Sequence, residues 1–242
     1  VQTCALPIYA HYKPYKIEPN QYVDFHFNIY NKIVEVFVPK VKIGSNTFIN
    51  GNIDADNTNF KLQMKSPSIN AYDNQIDSLS LEIDNKNPLY NTFLEVKKAD
   101  FGVYAIQDFN LINTTVKDTL FFRTEFKGGE SGKDNYELNF FHTLNQKQES
   151  VIGIKKSLVN FKGNAWYINR ENEMNEYNKL VLNRTADSLR ISNFKMAHQN
   201  QYMNLSGLVT TNDYKNLHLV AHNVALDKVM PEMKGLDLTG TL

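Results

Sequence analysis

The sequence predicts an all-β protein: an elongated, curled and largely antiparallel sheet (a groove-like β-taco) built from repeated strand-turn-strand units, with little helix. Apolar residues recur at every second position through most of the chain, which is the period of a strand with one apolar side. The apolar runs follow one another about every ten to fifteen residues, a spacing typical of antiparallel folds. A glycine-centred unit also recurs around Gly51, Gly207 and Gly240. Such a unit cannot bury its own apolar side, so its copies are expected to stack.

The composition is that of a folded protein without a nucleic-acid-binding surface. Of the 242 residues, 42% are hydrophobic, which is enough for a core. The 26 basic and 26 acidic side chains give zero formal charge. The composition gives no excess of basic side chains for a nucleic-acid-binding surface, so no nucleic-acid partner is expected. No apolar run reaches the roughly 20 residues that span a bilayer.

The N-terminal residues are treated separately. Residues 1–8 resemble the translation of a sequencing-adapter end and are excluded from the fold prediction. They contain Cys4, the only cysteine, so the remainder has no thiol for a disulfide or a thiolate metal site. Residues 9–242 are expected to form one continuous repetitive β domain, with a possible division near 127–135. We expect this domain to be an internal segment, truncated at both ends.

The first half is predicted to be strand after strand. The first strand alternates Val23, Phe25 and Phe27 with polar residues. Pro39 limits the second, Pro67 bounds the fifth, and Pro88 interrupts the chain before the seventh. The predicted strands are residues 22–30, 33–38, 41–43, 49–53, 60–64, 76–83, 93–96 and 101–111.

The second half continues the same pattern. Residues 127–134 are rich in glycine and charge and are predicted to form a turn. The best helix candidate, residues 226–233, contains Pro231 and is short at most. The predicted strands are residues 120–126, 136–141, 151–154, 158–161, 166–168, 179–182, 189–191, 202–209 and 217–220.

The motifs that would indicate an enzyme or a metal site are incomplete. Two residues rather than four separate Gly129 from Gly132, so residues 128–133 lack P-loop spacing. His218 and His222 have helical i, i+4 spacing but lie in a predicted strand, without a third ligand nearby. No Gly-x-Ser-x-Gly elbow occurs. We therefore predict no catalytic residue, no metal and no cofactor.

An apolar stripe of this kind must be hidden. It can pack on a second sheet, curl over itself, or hold a long apolar ligand. Acyl chains suit the third option, because each buried methylene contributes about 0.8 kcal/mol without polar contacts.

Residues 136–242 resemble the AsmA-like TamB family of Gram-negative envelope proteins. The resemblance is carried by an ordered succession of short motifs. These are Val151-Ile152-Gly153-Ile154, Phe161-Lys162-Gly163-Asn164-Ala165-Trp166, Leu189-Arg190-Ile191, Met203-Asn204-Leu205-Ser206-Gly207-Leu208-Val209, Leu217-His218-Leu219 and Leu236-Asp237-Leu238-Thr239-Gly240. The first half, with Ser66-Pro67-Ser68-Ile69, is similar in style.

The resemblance implies a segment of a bridge that spans the periplasm, anchored in the inner membrane in the full-length protein. Such proteins are implicated in carrying phospholipid between the inner and outer membranes and in outer-membrane assembly. Contact with an outer-membrane barrel partner would use a region absent here. Acyl chains would lie in the apolar groove, whose expected lining residues are Ile49, Ile53, Phe60, Leu62, Met64, Leu205, Val209, Leu217, Leu219, Leu236 and Leu238. The alternative is a structural or adhesive cell-surface β-repeat with a closed core; a β-helix enzyme acting on polysaccharide is a weaker third possibility.

Overall fold

The structure, a computed structural model, describes residues 18–129, 132–170, 177–211, 214–225 and 228–229. Cys4, the adapter-like segment 1–8 and most of the helix candidate 226–233 lie outside these residues. The described residues form sixteen strands and one short helix, and the strand pairs whose registers follow are all antiparallel. The prediction of an antiparallel all-β fold with little helix is confirmed.

The chain divides between Lys117 and Asp118 into two compact units. Unit 1 contains β1 (Tyr22–Ile29), α1 (Asn31–Phe37), β2 (Val41–Ile43), β3 (Thr47–Asp54), β4 (Asn59–Ala71), β5 (Asn74–Asp84), β6 (Thr92–Asp100) and β7 (Ala105–Val116). Its strands pair in the order β1-β3-β4-β5-β6-β7, and β2 pairs with β4 beyond the end of β3.

Unit 2 contains the remaining nine strands. They are β8 (Thr119–Gly128), β9 (Asp134–Leu144), β10 (Ser150–Ile154), β11 (Ser157–Phe161), β12 (Asn164–Ile168), β13 (Lys179–Leu182), β14 (Ser188–His198), β15 (Gln201–Thr210) and β16 (Lys215–His222). The turn near 127–135, where the sequence suggested a possible division, connects β8 to β9 inside this unit.

The prediction of a strand at residues 33–38 is wrong, because this segment forms α1. Its apolar residues Ile33, Val36 and Phe37 follow i, i+3, i+4 spacing, which places them on one side of a helix. The side-chain oxygen of Asn31 accepts a hydrogen bond from the backbone N–H of Ile43, at 2.8 Å. The helix therefore lies against β2, at the place where β1 has ended.

Two other predicted boundaries are also wrong. β4 continues through Pro67 to Ala71 instead of ending before the proline. β7 begins at Ala105 rather than at Phe101, because residues 101–104 turn back from β6. Pro67 is a strand breaker and residues 101–104 form a turn. The effect of each on the strand boundary depends on the neighbouring strands.

Pro67 is tolerated because it lies on a line where the hydrogen-bonded ladders of unit 1 are interrupted. The register skips the pairs Pro67–Ser78 and Lys97–Asp108, and Ser78 and Asp108 have left-handed backbone conformations with φ of 54° and 51°. On the other side of Pro67, residues 44–46 separate β2 from β3. A residue without an N–H is least costly where no ladder bond is required. We call residues 44–46, Pro67, Ser78, Lys97 and Asp108 the first interruption line.

Unit 2 has a comparable line. β10 and β11 pair in succession along β9, and β13 and β12 pair in succession along β14. Each pair of short strands therefore occupies the place of one long strand. The breaks between them, at residues 155–156 and at Asn169 and Asn178, lie beside a bulge in β14 between Ile191 and Phe194. We call these breaks and the bulge the second interruption line.

Asparagine side chains satisfy backbone groups along the second interruption line. The Asn169 amide donates to the carbonyl of Ile154 at 2.9 Å, and the Asn178 side-chain oxygen accepts from the N–H of Lys195 at 2.9 Å. Asn169, Asn178 and Asn193 all have positive φ, which asparagine tolerates better than most residues. The asparagines thus supply bonds that the ladder lacks at these two breaks.

Candidate functional site

The predicted lining residues of unit 1 share one side of the sheet. In the register of β3 with β4, Ile49 lies opposite Met64, and Ile53 lies opposite Phe60. Leu62 lies opposite Gly51, the glycine at the centre of this sequence unit. Directly opposed residues of antiparallel strands project on the same side of the sheet.

This side continues across all six strands of the main ladder. One row, perpendicular to the strands, is apolar from edge to edge. It consists of Phe27, Ile49, Met64, Leu81, Leu94 and Leu111. We call this set the apolar row. Neighbouring rows add Val23, Ile53 and Phe60 at one end and Leu79, Val96 and Phe109 at the other.

The apolar side of unit 1 is only partly covered. Val23, Phe27 and Ile53 are 53%, 58% and 41% exposed, and Phe60 is 37% exposed. The other members of the apolar row are half-buried. Among the described residues of unit 1, only Val96 and Ala99 are fully buried hydrophobic side chains, and no second sheet is present there.

Gly51 provides the closest packing on this side. A Cβ atom at Gly51 would lie 2.1 Å from Cζ of Phe25, the residue directly opposite on β1. The aromatic ring therefore covers the glycine backbone. The space over Gly51 on this side is filled by the protein's own side chain, so no ligand approaches the backbone of Gly51 from the apolar side.

The opposite side of unit 1 carries a cluster of polar side chains. A cavity of about 300 Å³ is lined there by Lys61, Gln63, Glu82 and Asp84 with neighbouring asparagines. Lys61 pairs with Asp84 at 3.1 Å, and Gln63 donates to Glu82 at 3.3 Å. Tyr90 also donates to Glu82, at 3.0 Å; this bond, together with burial and the charge of Glu82, raises the pKa of Tyr90. These groups satisfy one another, so they form a bonded polar cluster rather than a reactive centre.

In unit 2 the predicted residues also share one side of the sheet. Leu205 lies opposite Leu219, and Leu217 lies opposite Gly207, while Val209 lies on the same side of β15. Leu217 and Leu219 are 48% and 61% exposed on β16. Leu236 and Leu238 lie outside the described residues.

Further along this side of unit 2 the sheet carries a closed core. Trp166 is fully buried and packs with Val159, Ile168, Val224 and Val229. Its ring nitrogen donates to the backbone carbonyl of Lys228 at 3.2 Å. Residues after β16 therefore cross the apolar side and cover it at Trp166.

Sequence reasoning missed several residues of the apolar side. Phe27, Leu81, Leu94 and Leu111 complete the apolar row, yet none was proposed as a lining residue. The signal was present, because each lies in a predicted alternating strand. What was lacking was the register, since a slip of one residue exchanges the two sides.

The described residues give no indication of metal chemistry. They contain no group of three His, Cys, Asp or Glu side chains that could hold an ion. His218 and His222 lie four positions apart on β16, which places them about 13 Å apart along the strand. No helix in the described ranges is long and apolar enough to cross a membrane.

Comparison of the chain with protein-family models, curated proteins and solved structures finds no match. The resemblance to AsmA-like TamB proteins therefore stays a prediction from the sequence motifs. Unit 1 carries a continuous, half-exposed apolar side and, on the opposite side, a bonded cluster of polar residues.

Proposed function

We propose that this chain is a segment of an envelope protein that carries phospholipid between two membranes, with acyl chains lying on the apolar side of unit 1. The observation that supports the proposal is the apolar row, which is unbroken over six strands and only partly covered. Strands lie about 4.8 Å apart, so the row is about 24 Å long. The acyl layer of one leaflet is about 15 Å thick, half of the hydrocarbon core. An extended acyl chain thus fits along the row.

The energetics favour a sliding ligand. Each methylene removed from water contributes about 0.8 kcal/mol, and no polar contact is needed to hold it. Without polar contacts, a shift along the row exchanges one methylene contact for an equivalent one. Movement of the chain therefore meets only small barriers, as transport requires.

The test is site-specific photo-crosslinking in cells that contain the full-length protein. A benzophenone amino acid is placed at Met64 on the apolar row or, as the matched control, at Gln63. The two residues are adjacent on β4, both half-buried, and project on opposite sides of the sheet. Phospholipid adducts identified by mass spectrometry at Met64 and not at Gln63 are expected. Adducts at neither position, or equally at both, would contradict the proposal.

The second candidate is a structural or adhesive β-repeat, and the Trp166 core favours it. In unit 2 the apolar side is closed over Val159, Trp166 and Ile168, as a stable structural module requires. For this function a probe at Met64 is expected to give only crosslinks within the protein. In an adhesion assay, beads coated with the chain should then bind to a surface. Control beads coated with lipid-free albumin should not bind to it.

A further inference from the structure

β16 has a neighbouring strand on one side only. It pairs with β15 along its whole length, and no described strand lies along its other edge. On the apolar side Leu217 and Leu219 are 48% and 61% exposed, and Val220 on the opposite side is 50% exposed. A further strand at this edge would flank these side chains and bond the backbone between them.

The hydrogen-bond pattern identifies the backbone groups that point away from β15. The Thr210 N–H donates to the Tyr214 carbonyl at 2.9 Å, so these two residues form a hydrogen-bonded pair. Such pairs alternate along an antiparallel ladder, and the residues between them direct their N–H and C=O outward. Leu217 and Leu219 are two of these residues. Their backbone groups therefore have no ladder partner in the described part of the chain.

The open edge of β16 is poorly protected against pairing. Free edges of natural sheets are guarded by a proline, a bulge or a charged side chain turned toward the apolar side. β16 contains no proline, and its register with β15 has no shift. Its single lysine, Lys215, is its first residue. The edge is therefore suited to an added strand.

The sequence contains a second copy of the segment that already pairs with β16. Residues 203–209 of β15 lie opposite residues 215–221 of β16. Residues 236–242, which lie outside the described residues, repeat their pattern of alternate apolar positions, with Gly240 at the position of Gly207. The two segments are Met203-Asn204-Leu205-Ser206-Gly207-Leu208-Val209 and Leu236-Asp237-Leu238-Thr239-Gly240-Thr241-Leu242. The second copy thus has the pattern of a strand with one apolar side.

The chain after Val229 is long enough to reach the open edge. Val229 packs on Trp166 of β12, and β12, β14, β15 and β16 are successive neighbours. The edge beyond β16 is therefore four strand spacings from β12, or about 19 Å. Seven residue steps separate Val229 from Leu236, which is about 23 Å of extended chain. Trp166 is also adjacent to Tyr167, whose row ends at His222, so the segment would enter at the His222 end of β16.

We propose that residues 236–242 add to the open edge of β16 as an antiparallel strand. Because they repeat residues 203–209, their register follows that of β15, with Leu236 opposite Ala221, Leu238 opposite Leu219, Gly240 opposite Leu217 and Leu242 opposite Lys215. A slip of one residue would turn Asp237, Thr239 and Thr241 to the apolar side. The added strand extends the apolar side of unit 2 by one strand, and this does not depend on lipid binding by unit 1.

A segment of the same chain has an advantage over a second molecule. A short connection holds its two ends together at an effective concentration on the order of millimolar. A strand from another copy of the chain competes only at the concentration of the protein itself. The open edge is therefore assigned to residues 236–242.

The first test is a disulfide between β16 and the added strand, in a Cys4→Ser background that removes the only native cysteine. Val220→Cys is combined with Asp237→Cys, because these positions form a close, non-hydrogen-bonded pair in the proposed register. The matched control is Leu219→Cys with Asp237→Cys. Leu219 is adjacent to Val220 and similarly exposed but projects on the other side. Mild oxidation of dilute protein is expected to give about tenfold more intramolecular disulfide in the first variant, since Cβ atoms on opposite sides point apart.

The second test is amide hydrogen exchange, followed by NMR. In the proposed strand the Leu238 N–H bonds to the Leu219 carbonyl, whereas the Thr239 N–H points away from β16. Leu238→Pro is expected to speed exchange at Leu217 and Leu219 about tenfold or more, because it removes a ladder donor. Thr239→Pro is the matched control and should change their exchange little.

Several outcomes would overturn the proposal. Equal yields of the two disulfides would mean that residues 236–242 hold no fixed register on β16. Fast exchange at Leu217 and Leu219 in the unsubstituted chain, with neither disulfide formed, would leave the edge unpaired. A larger effect of Thr239→Pro than of Leu238→Pro would shift the register by one residue. Disulfides that form only between molecules, with a yield that falls on dilution, would assign the edge to a second copy of the chain.

Discussion

The ring of Phe25 on β1 lies over the backbone of Gly51, the residue directly opposite on β3. β1 is the first strand of its sheet, and Phe27 and Val23 on either side of Phe25 are more than half exposed. An aromatic residue that covers a cross-strand glycine pins the register of such an edge strand. Phe25 and Gly51 together thus fix which side of β1 joins the apolar side of unit 1.

Substitution of the two central glycines is expected to have unequal effects. Gly51→Ala would displace the end of a side chain, the Phe25 ring, and we expect a loss of about 1–3 kcal/mol. At Gly207, φ is 141° and a Cβ would lie 2.0 Å from the backbone oxygen of Asn216. Gly207→Ala is therefore expected to cost more, because backbone cannot rotate away. Chemical denaturation followed by far-ultraviolet circular dichroism measures the loss of stability in both variants. Equal losses would contradict the distinction between a side-chain neighbour at Gly51 and a backbone neighbour at Gly207.

The hydroxyls of Thr47 and Ser66 form a buried pair beside the first interruption line. Their oxygens are 2.8 Å apart, and the residues are 1% and 2% exposed. Thr47→Val or Ser66→Ala alone should each lower the free energy of unfolding by about 0.5–1.5 kcal/mol, since each removes a buried bond while the other hydroxyl keeps its bond to the carbonyl of Gly44 or Ser68. The double variant should lose less than the sum of the two. Strict additivity in denaturant midpoints would show that the pair is not coupled.

Trp166 is expected to dominate the stability of unit 2. Trp166→Ala should lower the free energy of unfolding by about 3–5 kcal/mol, because it empties the centre of a closed core. Trp166→Phe should lose less, since it keeps a ring but gives up the bond to the Lys228 carbonyl. Leu219→Ala is the control on the same side of the sheet: Leu219 is 61% exposed, so its loss should be small. Calorimetry gives all three values.

Acidification is expected to destabilise unit 2 through His142. Burial lowers the pKa of His142 below its ordinary value of 6.5, and its Nε2 lies 2.7 Å from the hydroxyl of Ser150. At pH values between the lowered pKa of His142 in the folded protein and its ordinary value, the unfolded chain binds more protons than the folded one. The free energy of unfolding therefore falls as the pH drops below about 6.5. Denaturation monitored by Trp166 fluorescence from about pH 8 to about pH 5 measures this slope. His142→Gln should reduce it, and an unchanged slope would exclude His142 as its source.

The strand periodicity made most of the fold predictable, and the neighbours of each strand decided the rest. Residues 76–83 and 202–209 became β5 and β15 because alternation is written into their own sequence. Residues 33–38 did not form a strand, because a short apolar run suits a helix or a strand and the end of β1 left room for α1. Pro67 could not be placed correctly, because its tolerance depends on Ser78 and residues 44–46.

The candidate site was predictable as pairs but not as a whole. Ile49, Ile53, Phe60, Leu62 and Met64 lie in one repeated unit, so their common side follows from two adjacent strands. The rest of the apolar row requires the registers of four more strands. The Trp166 core requires contacts of Val224 and Val229 that no local pattern contains.

The second interruption line has a consequence for how this sequence can vary. β12 and β13 follow one another along β14, with Ile168 opposite Met196 and Lys179 opposite Ser192. Each strand has its own pairing with β14, so the number of residues between Ile168 and Lys179 does not enter the register of either strand. Residues could be inserted or removed there at little entropic cost, since loop closure depends only weakly on length. The middle of the sheet, rather than one of its edges, is thus the place where a tag or an entire domain could be grafted without moving Trp166.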